Sequence, residues 1–229
     1  MDNKEKVKIV AELESLLGLL NNSGSCYNLA LLFRVARLEK RIKRFVIDNT
    51  VINKDISRIY RKFSPGIYFI TVYAATRDFN IALAAYKMTE LYGGFIQYLD
   101  FFYEHPKNRR FKRLAYKFRA AAIKGLNQKV KRELLEAEES FLARYWRFEI
   151  RYKELLRFGH KFTDSEIKRF ILLKARSIVG YPIILRQYCH IPQKLVDLIN
   201  YNQSIYNFYD DYWDLKEDLD DKAPNTFII

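Results

Sequence analysis

Near its C-terminal end the chain carries acids at four-residue intervals in an aromatic setting: Phe208-Tyr209-Asp210-Asp211-Tyr212-Trp213-Asp214-Leu215-Lys216-Glu217-Asp218. On a helix, residues four apart share a face, so Asp210, Asp214 and Asp218 are expected to form one carboxylate row. Stacked like charges repel, and the row calls for a counter-charge. Hard oxygen donors on a rigid helix suit Mg²⁺ with a bound phosphate better than they suit Zn²⁺. Phe208, Tyr209, Tyr212 and Trp213 interleave with the acids, which predicts a largely buried helix whose acids face a cavity rather than bulk water. A second pair at the same spacing, Asp100 and Glu104, lies among Tyr98, Phe101, Phe102 and Tyr103. Two inward-facing acid pairs on two helices can oppose each other across a bundle.

The elements that would hold these acids are helices. With 229 residues, 49% of them hydrophobic, the chain can build a substantial core, and we read residues 1–229 as a single domain. Only 8 Gly and 5 Pro occur, the prolines at apparent breaks, which favours long helices and short turns. Nothing alternates with period two. The patterning predicts helices over about 4–20, 27–47, 54–62, 66–80, 82–104, 110–158 with an interruption, 164–187 and 193–220. Thr163-Asp164-Ser165-Glu166 has capping-box spacing and predicts a helix start near 164. The expected fold class is all-α, a single-domain helical bundle with the acid row near its centre.

The net charge of +13 is concentrated in residues 34–62 and 107–132, the second of which contains no acid. Such stripes can contact nucleic acid, but no zinc-finger spacing, RNP-like strand or glycine-rich loop accompanies them, and no nucleic-acid partner is expected. Cys26 and Cys189 stand far apart and His105, His160 and His190 are isolated, so no soft-metal site or catalytic thiol is indicated and a reducing, cytoplasmic location is expected. The charged start of the chain is unlike a signal peptide. Ile67–Ala75, the longest apolar stretch, is too short for a transmembrane segment.

At this point the chain resembles the class I isoprenoid synthases of the trans-prenyl diphosphate synthase lineage. Asp210-Asp211-Tyr212-Trp213-Asp214 is similar to their second DDxxD motif. Asp100 and Glu104 fall on the outer acids of the first motif, Arg109-Arg110 follow at the spacing of the arginine pair, and Glu90 matches a recurrent acid ten residues before Asp100. Arg61-Lys62-Phe63-Ser64-Pro65 stands where the family has GKxxRP, and Lys174 resembles the lysine between the motifs. Phe101 replaces the middle acid of the first motif, and Ser64 and Gly93 replace two polar contacts of the isopentenyl diphosphate site.

The resemblance implies a central active-site cavity and Mg²⁺ as cofactor. Asp100, Glu104, Asp210 and Asp214 would be catalytic metal ligands, with Asp211 and Asp218 as supporting ligands. Arg61, Arg109, Arg110, Lys174 and Arg176 would bind diphosphate; Phe95, Phe101, Phe102, Phe208 and Tyr212 would line the cavity. It implies a prenyl diphosphate substrate and a homodimer. The missing polar contacts favour a terpene synthase ionising one allylic diphosphate. A short-chain trans-prenyl diphosphate synthase of farnesyl or geranylgeranyl type is the alternative, and a non-catalytic partner subunit the third reading.

Overall fold

The structure, a computed structural model, describes residues 3–22, 29–49, 66–104, 106–175 and 179–193, and beyond these 196–197, 207–209, 211–221, 225 and 227. Its helices are α1 (Asn3–Asn22), α2 (Leu29–Asn49), α3 (Gly66–Thr76), α4 (Phe79–Glu104), α5 (Arg109–Lys124), α6 (Gln128–Ala137), α7 (Ala143–Arg157), α8 (Asp164–Ala175), α9 (Gly180–Leu185) and α10 (Leu215–Asp221). A π-helical turn, Glu138–Leu142, joins α6 to α7. No strand occurs among the described residues, as the absence of period-two patterning predicts. The expected helix over 54–62 lies outside the described residues.

The chain groups into two compact units: residues 1–97, 113–125 and 188–190 form the first, and 98–112, 126–187 and 191–229 the second. In the first unit, Ile9, Leu13 and Leu16 of α1 and Leu38, Ile42 and Phe45 of α2 are buried at three- and four-residue steps, the stripe that lets two helices pack. Each such burial contributes roughly 1.5–3 kcal/mol. Arg41 joins the pair by bonding Glu5 at 2.6 Å and Glu12 at 2.8 Å. These groups are partly exposed, so the bonds fix register more than they stabilise. Phe79 meets Phe45 and Phe69 edge-on, with ring centroids 5.7 and 5.2 Å apart.

The break between α3 and α4 is local chemistry. Arg77 takes φ +55°, in the left-handed region that ends a helix, and the Asp78 carboxylate then accepts hydrogen bonds from the backbone of Asn80 at 2.7 Å and Ile81 at 3.1 Å, capping α4. Farther along α4, a Cβ on Gly94 would stand 3.1 Å from the Phe118 ring of α5, so glycine permits that close approach.

Glu90 of α4 is buried, and burial pushes its carboxyl up to about 8 against the opposing effects of a Tyr86 hydrogen bond and of Lys43 and Lys87. A carboxyl with a raised folded pKa binds its proton in the native state while the unfolded chain has lost it. Its stabilising contribution is therefore complete below the unfolded value near 4.5 and is lost as pH rises to about 8. Chemical denaturation from pH 4.5 to 8.5 should show stability falling by a few kcal/mol more in the native chain than in Glu90→Gln. Parallel pH profiles would refute this reading.

In the second unit, Asn127 caps α6 by accepting from the Val130 N–H at 3.0 Å. The capping box expected at α8 is present: the Glu166 N–H bonds Thr163 Oγ1 at 3.3 Å, and the Thr163 N–H bonds Glu166 Oε2 at 2.9 Å. Tyr152 anchors α7 to this region by stacking on Phe162 and Phe170, with centroids 4.6 and 5.4 Å apart. Gly159, at φ +72°, supplies the left-handed residue that ends α7.

Candidate functional site: a carboxylate, tyrosine and lysine cluster

Most of the described acids singled out from the sequence belong to the second unit, and two of them, Asp100 and Asp211, act on Tyr145 of α7. Its fully buried hydroxyl is pushed well above the ordinary tyrosine range, first by burial, then by the charges of Glu149, Asp100 and Asp211, with a hydrogen bond to Glu149 adding to the effect. Tyr145 therefore keeps its proton at physiological pH and acts as a donor. Asp100 acts on it through space from the end of α4, and Glu149, one turn along α7, takes its hydrogen bond.

Asp211 is the buried acid of the C-terminal segment, only 2% exposed, and forms an ion pair with Lys174 of α8. The backbone carbonyl of Asp211 accepts from the Asn225 side-chain amide at 2.5 Å, and the same amide nitrogen donates to Asp218 Oδ2 at 2.7 Å. Burial raises the Asp218 carboxyl pKa, the Asn225 bond and Lys174 oppose that, and Asp211 and Asp214 push it further up. Asp211 and Asp218 thus share one lysine and one amide, and Asp214 adds its charge to Asp218.

Two expectations about this segment are corrected. The acid row does not lie on one uninterrupted helix: the chain bends at Asp214, and α10 begins at Leu215. The Asp214 carbonyl accepts from the Asp218 N–H at 2.8 Å, so Asp214 stands at the N-cap position, and Glu217 and Asp218 occupy the first turn, where acids complement the helix dipole. Nor is the segment largely buried. Phe208, Tyr209, Tyr212 and Trp213 are 46%, 62%, 58% and 78% exposed. Turning Asp211 inward points the next two side chains about 100° and 200° away from it, toward solvent. Phe208 and Tyr212 therefore do not line a cavity; both lie near the Phe227 ring, at 4.6 and 6.0 Å.

Of the other expected aromatics, Phe95 is buried in the core and Phe101 and Phe102 are half-buried among their neighbours. Phe101 lies between Tyr98 and Phe111, at centroid distances of 6.2 and 5.5 Å, and Phe102 carries Lys112 over its ring at 5.4 Å. Phe95 belongs to the first unit, against Tyr92 and Tyr116. Arg109 and Arg110 are exposed in the first turn of α5, where the Arg110 N–H bonds Asn108 at 3.2 Å. Arg61, Arg176 and Asp210 lie outside the described residues, as does the side chain of Glu104, the last residue of α4.

Tyr145, Glu149 and Asn225 were not anticipated. The first two stand four apart, but that spacing is equally that of an ordinary helix face, and only the tertiary arrangement distinguishes them. Beside Tyr145, Trp146 stacks on Tyr103 with centroids 4.5 Å apart, and its buried indole N–H meets no acceptor among the described residues. No three His, Cys, Asp or Glu residues are gathered at metal-binding distance among the described residues. None of their helices is long and apolar enough to cross a membrane. No family model, curated protein or solved structure matches this chain.

Proposed function

We propose that the chain is an isoprenoid synthase of class I type that ionises an allylic prenyl diphosphate with Mg²⁺, working as a terpene synthase. The observation that supports this most is that Asp100 and Asp211, about a hundred residues apart in the chain, both lie within electrostatic reach of Tyr145, with Lys174 paired to Asp211. The donor set fits the metal in type: carboxylate oxygens from two segments, with the Asp218 carboxyl raised chiefly by burial and in smaller part by Asp211 and Asp214. Asp100, Asp214 and Asp218 would hold the ion, with Asp211 kept in place by Lys174. Bound there, Mg²⁺ would neutralise the departing diphosphate.

The chain's own residues then have separable tasks. Tyr145 donates to the Glu149 carboxylate and fixes its orientation. Lys174 and Arg109 offer charge to diphosphate oxygens, and the Trp146 indole offers a buried donor. The preference for a single allylic substrate rests on Ser64 and Gly93, which cannot hold a second diphosphate. The non-catalytic reading has its own support, since Lys174 already neutralises Asp211 and Asp214 serves as a cap.

Product profiles with geranyl, farnesyl and geranylgeranyl diphosphate, with and without Mg²⁺ and labelled isopentenyl diphosphate, separate these readings. The expected result is free diphosphate with hydrocarbon or alcohol products and no label uptake. Label in a longer prenyl diphosphate would establish the prenyltransferase alternative, and no turnover in any combination would leave the non-catalytic reading.

A further inference from the structure

The helix α5 is charged on one side only. Lys and Arg fill seven of its 16 positions, and no acid interrupts them. At about 100° per residue, Arg109, Arg113, Lys117 and Lys124 fall within about 80° of one another around the axis, opposite the buried Ala115, Phe118 and Ala122. All four cations are exposed, and a rise of about 1.5 Å per residue makes the row about 22 Å long.

The row has no counter-charge of its own. Arg41, Arg77 and Arg186 each bond a glutamate, whereas none of Arg109, Arg113, Lys117 and Lys124 has an acid within ion-pair distance among the described residues. Cations four apart on a helix repel, so Arg109, Arg113 and Lys117 cost the helix stability that external anions restore. A small anion spans too little of the row to neutralise it. Only anions repeated along a surface or a chain match its length.

Between those two, α5 favours the surface. It contains no Ser, Thr, Asn or Gln, the side chains that accompany Lys and Arg in holding a nucleic-acid backbone and reading its bases. A flat anionic sheet meets a straight row at every position, while a duplex strand, winding once in about 34 Å, follows it for only part of its length. Tyr116, 50% exposed beside the row with its ring centroid 6.5 Å from that of Phe95, is of the aromatic type that settles at headgroup level. The apolar side of α5 is committed to the core, where Phe118 closely approaches Gly94, so this helix can attach without inserting.

We propose that the face of α5 formed by Arg109, Arg113, Lys117 and Lys124 is a docking surface for anionic lipid bilayers, held by charge. Each cation near an anionic leaflet contributes about five-fold to partitioning, and the four together several hundred-fold. Exposed charges are screened, so the attachment weakens with salt. It concerns where the chain sits and not what it converts, and it holds or fails independently of the reaction proposed above.

The test is cosedimentation of the full chain, without substrate, with vesicles of phosphatidylcholine alone or mixed with phosphatidylglycerol. Binding is expected to the mixed vesicles only, falling as salt rises. The triple variant Arg113→Gln, Lys117→Gln, Lys124→Gln, which spares Arg109, should bind about 100-fold more weakly. Lys8→Gln, Lys40→Gln, Arg151→Gln, which removes the same charge from exposed positions elsewhere, should stay within about three-fold of the native chain. Glutamine is a good helix former, and circular dichroism establishes that each fold persists; Lys117→Gln alone, expected to weaken binding about five-fold, covers a triple variant that does not fold. Duplex DNA and single-stranded RNA are titrated at the same salt. Equal binding to both vesicle types, equal weakening by the two triple variants, or tighter binding of either nucleic acid through the same α5 residues would overturn the proposal.

Discussion

Lys174→Met is expected to lower the free energy of unfolding by about 3–5 kcal/mol, because it leaves the Asp211 carboxylate buried without its cation. The substitution keeps the length of the side chain and its apolar stem, so the loss reports the charge rather than a cavity. Asp211 is 2% exposed, which denies it water as a substitute partner. The double variant Lys174→Met, Asp211→Asn should recover most of the loss, since an uncharged amide in the same place has no ion to desolvate. Urea titration of the two single variants and the double variant, without any diphosphate present, gives the coupling directly. A double variant no more stable than Lys174→Met would mean that the pair contributes packing alone.

The second large effect is on turnover. Asp100→Asn and Asp214→Asn are each expected to reduce Mg²⁺-dependent diphosphate release by about 10²–10³-fold, the range seen when one preorganised electrostatic group is removed from an active site. Helical content should persist in Asp100→Asn, because the amide keeps the shape of the acid. It should also persist in Asp214→Asn, because asparagine is as good a helix cap as aspartate. That makes Asp214→Asn the sharper of the two tests: a purely capping aspartate tolerates the change, whereas a metal ligand does not. Phe101→Asp, which would add an acid between Asp100 and Glu104, should instead cost about 1–3 kcal/mol of stability, because Phe101 packs against Tyr98 and Phe111. Diphosphate release and thermal unfolding measured on the same three proteins decide the matter. Unchanged release in Asp100→Asn and Asp214→Asn together would remove both acids from catalysis.

Which parts of this arrangement could be read from the sequence follows from the range of the interactions. The α8 capping box was legible because Thr163 and Glu166 are three residues apart and bond only each other's backbone and side chains. Asp78 uses equally local bonds, but the expected helix over 66–80 ran across it. At Asp214, the aspartate with a glutamate three residues later is itself a start signal, yet the four-residue spacing to Asp210 and Asp218 suggested a continuous row. Spacing defines a shared face without defining which way it points. The exposed Trp213 and the buried Asp211 are neighbours for that reason, and the aromatic content alone could not orient them. Tyr145 gains its significance from Asp100 and Asp211, 45 and 66 positions away, and Asn225 from Asp211, 14 positions away, separations that no local pattern encodes.

The wide turn at Glu138–Leu142 has a consequence for phase. Along α6 and α7, Leu134, Glu138, Leu142 and Trp146 are all buried at successive intervals of four. In an unbroken α-helix each such step over-rotates by about 40°, so the stripe would wander about 120° around the axis over those three intervals. A π-helical turn holds one residue more than an α turn and absorbs part of this excess. The turn works as a vernier between two helices: it gives up regular backbone hydrogen bonding over a few residues and thereby turns Tyr145 to the buried side, within electrostatic reach of Asp100 and Asp211.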